Sequence, residues 1–321
     1  MNKLKEEIFM NDARIIFIGT PEFACPILQT LVDEGYNVVA AVCQPDRPTG
    51  RKQVITPTPV HALADKLNIP VLQPEKLRTE YQPVLDYKPD LIVTAAYGQI
   101  VPEVILKAPR YGCLNIHPSL LPKYRGGAPI HHAVWAGDEK TGVCLMEMVK
   151  AMDAGRVYAR CELPIGPDET TSEMYKKLQD AACTLLKESL PLYLEGKLEG
   201  EPQDESLVVI ARNISKEDEQ VHFAKEDINE LYNHIRALTD WPLAYGMLDG
   251  RRMKFIKVRK QICETEQTPG TVLGFRDHAM EVACKGGILR VLELQPEGKN
   301  RMSADAYANG AGRNIPGHVF E

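Results

Sequence analysis

Apolar positions along the first two-thirds of the chain switch repeatedly between two periods. Short runs that are apolar on both faces, at 14–18, 37–43, 90–95 and 112–117, read as strands buried inside a parallel sheet. Between them the spacing becomes helical, as in Phe23, Ile27, Leu28, Leu31 and Val32, a segment closed by Gly35. Thr20-Pro21-Glu22 reads as its start, with Thr20 as the cap and Pro21 in the first position. Residues 44–58 read as a polar loop, 57–67 as a helix, 69–72 as extended and 77–87 as a helix. A helix over 128–136 follows, then strands at 141–149 and 156–163 around the turn 151–155, and a long amphipathic helix over 170–196. This alternation predicts an α/β fold with a doubly wound, Rossmann-like, mostly parallel sheet, whose ligands bind at the carboxyl ends of the strands.

The pattern changes across 195–206, a polar, acidic stretch with Gly196, Gly200 and Pro202. Beyond it come a helix at 227–237 and short strands at 244–248, 252–258, 270–275, 278–284 and 288–294, punctuated by glycine turns. They predict a C-terminal OB-like β-barrel. The expected division is a catalytic domain at 1–195, a linker at 196–206 and a barrel domain at 207–321.

With 321 residues, 44% hydrophobic and 26% charged, the chain has the composition of a globular protein. No apolar run reaches the 18 or so residues of a membrane helix, and residues 1–14 lack a secretory apolar core. The eight cysteines show no C-x-x-C spacing and several lie in apolar runs. They read as small buried hydrophobes in a reducing compartment. The expected location is the cytoplasm, with no membrane partner. Net charge is −6, but from Ser206 onward acids and bases balance at sixteen each. Within that part, residues 251–260 hold six cations in ten positions. On a regular strand, Arg252, Lys254 and Ile256 share one face, and Arg251, Met253, Phe255, Lys257 and Arg259 share the other. Such a strand suits a phosphate backbone, or equally a solvated edge guarded by cations.

Three common chemistries find no support. The turn Gly19-Thr20-Pro21-Glu22-Phe23-Ala24 has one glycine where a dinucleotide turn needs three, and no G-x-x-x-x-G-K-[ST] loop occurs. His131 and His132 are adjacent and point about 100 degrees apart on a helix, so no metal site is expected. Ser119 has no G-x-S-x-G setting. What stands out is Asn115 and His117, two residues apart on one face of a strand whose end is fixed by Pro118. An amide able to bind an oxyanion then sits beside an imidazole able to move a proton. The pair suits transfer of a carbonyl group between two amines, or serves as a structural hydrogen bond. Asp153, in a glycine-containing turn, is the candidate third group to orient or charge the imidazole.

The run Asn115 to Pro129, with N-x-H-x-S-L-L-P-x-Y-R-G, resembles folate-dependent formyltransferases in general. Together with Gly19 to Ala24, Gln44-Pro45-Asp46-Arg47-Pro48-Thr49-Gly50-Arg51, Ala96 to Pro102, and Ile235-Arg236-Ala237-Leu238 with Trp241-Pro242, it resembles the methionyl-tRNA formyltransferase family over nearly the whole chain. The resemblance implies transfer of a formyl group from 10-formyltetrahydrofolate, a co-substrate, to the α-amine of methionyl initiator tRNA, without a metal. It implies Asn115, His117 and Asp153 as the catalytic trio. Ser119, Leu120, Leu121 and Pro122 would be the tetrahydrofolate segment, and Tyr97, Gly98 and Gln99 the wall of the pterin pocket. Arg51 would contact the tRNA acceptor arm. Arg47 and Lys52 in the same loop, with Arg252, Lys254 and Lys257 on the basic strand, are the further tRNA candidates. A monomer is expected. One departure stands in the catalytic turn: where the family carries a second acid, this chain has Arg156. Relatives that formylate a sugar amine or purine precursor, or hydrolyse formyltetrahydrofolate, share the His117-Pro118-Ser119 tripeptide.

Overall fold

Seven strands of the first unit form one sheet in the computed structural model, which describes residues 12–50 and 53–321. They are β1 (Ile15–Gly19), β2 (Val38–Val42), β5 (Val71–Leu72), β6 (Leu91–Ala95), β7 (Cys113–His117), β9 (Lys140–Glu147) and β10 (Val157–Pro164), between which β3 (Arg47–Thr49), β4 (Val54–Thr56) and β8 (Arg125–Gly126) stand apart. The order is β10-β9-β7-β6-β1-β2-β5. Strands β7, β6, β1, β2 and β5 run parallel, and β9 is antiparallel to β7. All five residues of β1 and of β6 are buried, as a sheet covered on both faces requires. The chain leaves β1 toward β2 on one side and returns at β6 on the other. The carboxyl ends of β1, β6 and β7 therefore flank the place where such sheets bind ligands.

Local chemistry explains where the elements differ from the sequence expectation. Thr20 is not a helix cap: the helix starts at Ala24, and the Thr20 hydroxyl donates to the Tyr97 carbonyl at 3.0 Å while accepting from the Gln44 amide at 3.2 Å. Its side chain ties the β1 and β6 loops together instead. Residues 44–58 are not plain loop, since β3 and β4 pair as an antiparallel hairpin with Thr49 and Thr56 hydroxyls 2.6 Å apart. The helix expected over 77–87 shrinks to Gln82–Asp86. The long helix runs Thr171–Leu194 and keeps Pro191 in its last turn.

The second unit comprises 130–140, 164–174 and 212–321. The segment expected as a linker, 196–206, groups with the first unit, where Val157 and Glu201 exchange both backbone hydrogen bonds at 2.9 Å. It leads into β11 (Ile210–Ala211), which pairs in parallel with β8. Beyond it, β12 (Tyr245–Leu248), β13 (Arg251–Ile262), β14 (Val272–Arg276), β15 (Ala279–Cys284), β16 (Gly287–Pro296) and β17 (Met302–Ser303) form an antiparallel sheet in the order β12-β13-β16-β15-β14, with β17 beside β16. The chain's last residues join its two edges: Phe320 N–H donates to the Gly270 carbonyl and Glu321 N–H to that of Met247, both at 2.9 Å. This closes a small barrel and removes the open edges. Phe223, Phe255 and Phe320 fill it, and the helix Ile228–Ala237 packs on its core. That helix carries a complete Asp227/Glu230 capping box.

Candidate active site

Strand β7 ends at the site. Its residues Leu114 and Ile116 are buried in the sheet, and Asn115 and His117 share the other face. His117 is almost wholly enclosed. Its Nε2 lies 2.9 Å from the Tyr124 carbonyl, which only accepts, so Nε2 carries the proton and donates. Nδ1 is thereby the nitrogen left to gain or release a proton. It faces Asp153 Oδ2 at 3.8 Å. That carboxylate oxygen also accepts the Gly126 N–H at 2.8 Å, which anchors it from the opposite side. Asn115 is half-buried, and its side chain has no hydrogen-bond partner among the described residues. The arrangement is an enclosed imidazole between a carbonyl and a carboxylate, with an uncommitted amide two residues away. It can stabilise a developing negative oxygen and relay a proton.

No thiol competes for this chemistry. Cys144 is the cross-strand neighbour of His117 on β9, yet burial pushes its thiol up to about 11. Cys113, at the start of β7, is pushed up to about 12 by the same cause. At neutral pH both stay protonated and poor nucleophiles. No group of three or more potential metal ligands occurs among the described residues. His132 instead bonds the Arg212 carbonyl at 3.0 Å, and His131 packs edge-on against Trp241.

Several residues expected at the folate have partners within the protein. Ser119 is fully buried, and its hydroxyl donates to the Lys123 carbonyl at 2.7 Å, so it holds the loop closed from inside. Tyr97 is packed into the sheet core with Ile16, Ile18 and Val42, and burial pushes its phenol well up. Gln99 is consumed in a network: its oxygen accepts from Leu77 N–H at 2.9 Å and its nitrogen donates to the Gln44 side chain at 3.0 Å. The backbone of 97–99, turned by Gly98 at φ +89°, is what remains to border a ligand. Leu121 belongs to a small apolar cluster with Cys144, Met146 and Val157, while Leu120 and Pro122 are half-buried. The sequence did not single out Arg125, Gly126 or Gln203, although the first two lie inside the quoted motif. Arg125 is 5% exposed, an unusual place for a guanidinium without a partner.

Of the tRNA candidates, Arg51 and Lys52 lie outside the described residues. Arg47, on the β3–β4 hairpin, is exposed and paired with Glu75 at 2.6 Å. The basic strand β13 is paired on both sides at Met253 and Lys254, between β12 and β16, whereas from Lys257 to Ile262 it is paired by β16 alone. Its facing also differs from the regular expectation. Phe255 pairs with Leu294, Lys257 with Glu293 and Val258 with Val291, so each strand carries one extra residue there. This irregularity turns Val258 inward after Met253 and Phe255. Lys257 and Arg259 thus come out on the face of Arg252 and Lys254. Arg252 lies 4.7 Å over the Tyr245 ring. None of these four cations is in an ion pair among the described residues. A separate cleft of about 790 Å³ in this unit is lined by Trp135, Glu217, Glu226 and His234. His234 is structural there, bonded to Glu226 at 2.9 Å and the Asp218 carbonyl at 2.7 Å and stacked on Trp135.

Residues 13–190 match the family model described as Formyl transferase, and residues 213–312 that described as Formyl transferase, C-terminal domain. A methionyl-tRNA formyltransferase of Bacillus cytotoxicus is 47% identical over 301 residues, covering 93% of this chain and 96% of that protein. One of Geobacillus thermodenitrificans is 46% identical, covering 94% and 95%. Among solved structures, HypX from Aquifex aeolicus in complex with tetrahydrofolic acid aligns with TM-score 0.65 at 18% identity, over 95% of this chain and 48% of that chain. An N-formyltransferase from Helicobacter canadensis, in complex with folinic acid and dTDP-3-aminofucose, aligns with TM-score 0.66 at 15% identity, over 88% and 98%.

Proposed function

We propose a division of labour among the residues of this chain from the premise that it belongs to the methionyl-tRNA formyltransferase family. It transfers the formyl group of 10-formyltetrahydrofolate to the α-amino group of methionyl initiator tRNA. 10-Formyltetrahydrofolate, when bound, would supply an activated formyl group and leave as tetrahydrofolate. The attacking amine is itself the nucleophile, so no covalent enzyme intermediate is needed. The protein then has two tasks: to hold the carbonyl oxygen as negative charge builds on it, and to carry a proton from the amine to the leaving nitrogen.

Asn115 takes the first task, its free side-chain N–H donating to the oxygen. One such preorganised donor is worth about 3 kcal/mol of barrier. His117 and Asp153 take the second. With Nε2 committed to Tyr124, Nδ1 exchanges the proton, and the carboxylate beside it compensates the charge that forms. The observation that carries this assignment is the convergence to 3.8 Å of His117 Nδ1, at the end of the strand that bears Asn115, and Asp153 Oδ2, from a separate turn. The residues fit a reduced pterin through backbone groups of 97–99 and the apolar segment Leu120-Leu121-Pro122. Ser119 shapes that segment rather than touching the ligand.

The catalytic work belongs to residues 1–195 and the tRNA to 207–321, with Arg252, Lys254 and Lys257 on the outer face of β13 as phosphate contacts, joined by Arg47 on the hairpin and by Arg51 and Lys52 of the same stretch of sequence. The trio is complete within the first unit, so the proposed chemistry needs no second copy of the chain. Buried free thiols and the translational substrate support a cytoplasmic location. No helix among the described residues is long and apolar enough to cross a membrane. The test is direct: purified protein, 10-formyltetrahydrofolate and charged initiator tRNA yield formylmethionyl-tRNA, and methionyl elongator tRNA yields little. Formylation of a nucleotide-linked sugar amine with none of the tRNA would overturn the reading.

A further inference from the structure

Tyr124, Arg125 and Gly126 are consecutive, and the first and last touch the proposed catalytic groups. The Tyr124 carbonyl fixes His117 Nε2 and the Gly126 N–H fixes Asp153 Oδ2. Between them, the buried Arg125 turns its guanidinium the other way. Its Nε donates to Gln203 Oε1 at 3.0 Å, and Nη1 and Nη2 form a fork on the Glu205 carboxylate at 3.1 and 2.8 Å. Gln203 is fully used: its Nε2 donates to the carbonyl of Asp153 at 2.8 Å and to that of Gly155 at 2.7 Å. These carbonyls bracket the turn in which Asp153 adopts φ +51°, a left-handed conformation that is costly for a residue with a side chain. A side chain on Gly155 would run into the Glu147 carbonyl, so the turn is confined from that side as well. Strand β8 is equally confined, because a Cβ on Gly126 would lie 2.5 Å from the Ala211 oxygen.

We propose that Arg125 and Gln203 are positioning residues for formyl transfer: the guanidinium orients the amide of Gln203, and that amide holds the 153–155 turn so that the Asp153 carboxylate faces His117 Nδ1. The proposal rests on the reading of Asp153 as catalytic. Its chemistry is specific to these side chains. An amide offers two N–H groups at one end and an acceptor at the other, and Gln203 uses all three. Arginine offers Nε and a two-pronged fork from one rigid plane, which lysine does not. Without this clamp the carboxylate keeps the Gly126 N–H alone and the turn keeps only its backbone bonds, Ala154 N–H to the Ala151 carbonyl and Glu147 N–H to the Arg156 carbonyl, so the carboxylate is freer to drift from the imidazole.

Gln203→Ala in the full-length protein should lower kcat about 10- to 100-fold, as ångström-scale misplacement does. KM for both substrates should stay within about twofold, and the melting temperature should be little changed. Gln203→Glu keeps an acceptor for Arg125 but loses both N–H donors, so it should fall similarly. Arg125→Lys should lower kcat alone and add little to Gln203→Ala. The discriminating measurement is the cycle with Asp153→Asn: if Gln203 acts through Asp153, Gln203→Ala should cost almost nothing further in that background. An equal cost in both backgrounds, or an unchanged kcat for Gln203→Ala alone, overturns the proposal while a slow Asp153→Asn enzyme leaves the catalytic reading standing. A full-speed Asp153→Asn enzyme overturns that reading, and the positioning role with it.

Discussion

His117 and Asn115, neighbours on one strand face, are held in opposite ways, and the contrast is chemically useful. The imidazole is fixed by a carbonyl and faces a carboxylate, whereas the amide is left uncommitted. The period of the strand made their shared face legible, because side chains alternate strictly there. The loop residues were less legible. A motif records which residues accompany a chemistry but not which way each points. Ser119, Tyr97 and Gln99 face inward and serve the loop itself. Nothing in the sequence announced the inward turn of Arg125, whose partner Gln203 is 78 positions away. Residue chemistry also fixes an acid limit to stability. In the second unit, the Arg212 hydrogen bond, helped by Ser215, holds the Asp218 carboxyl well below its ordinary 3.8. A lowered carboxyl contributes stability above the unfolded value and loses it as pH falls through the folded value. Asp218→Asn should therefore melt below the parent at pH 7, with the gap closing as pH drops below 3.8. A gap that stayed constant down the acid range would refute that linkage.

Strand β13 shows how an element rewrites a sequence pattern. Read as a regular strand, its cations split between two faces. The extra residue at the Phe255–Val258 step shifts the phase, and Arg252, Lys254, Lys257 and Arg259 emerge together. Alternation is a local rule, and nothing in ten residues announces that a partner strand will absorb a matching extra residue. The guarded-edge explanation fails at Lys254, which is paired on both sides, while Lys257 and Arg259 lie where β16 alone pairs. Charge reversal at Lys257 and Arg259 together should weaken binding of charged initiator tRNA and lower the slope of log affinity against log salt by about one for each phosphate no longer neutralised. Affinity for 10-formyltetrahydrofolate should not move. Unaltered tRNA affinity and salt slope would remove this face from the interface.

At the scale of the whole molecule, the alternation of strands and helices made the sheet legible and the glycine-spaced short strands made the barrel legible. The order of strands was not, since it depends on which distant segments pair. Nor did composition reveal that 130–140 and 164–174 group with the second unit, or that 196–211 group with the first. The account assigns chemistry to one set of residues and substrate capture to another. It stands or falls on whether the oxygen of the transferred group is held by Asn115. Single-turnover formyl transfer by Asn115→Ala, with both substrates saturating, measures that step free of binding and product release. The account predicts a rate about 100-fold below the parent, with the dissociation constant of 10-formyltetrahydrofolate nearly unchanged. A single-turnover rate close to the parent's would contradict it.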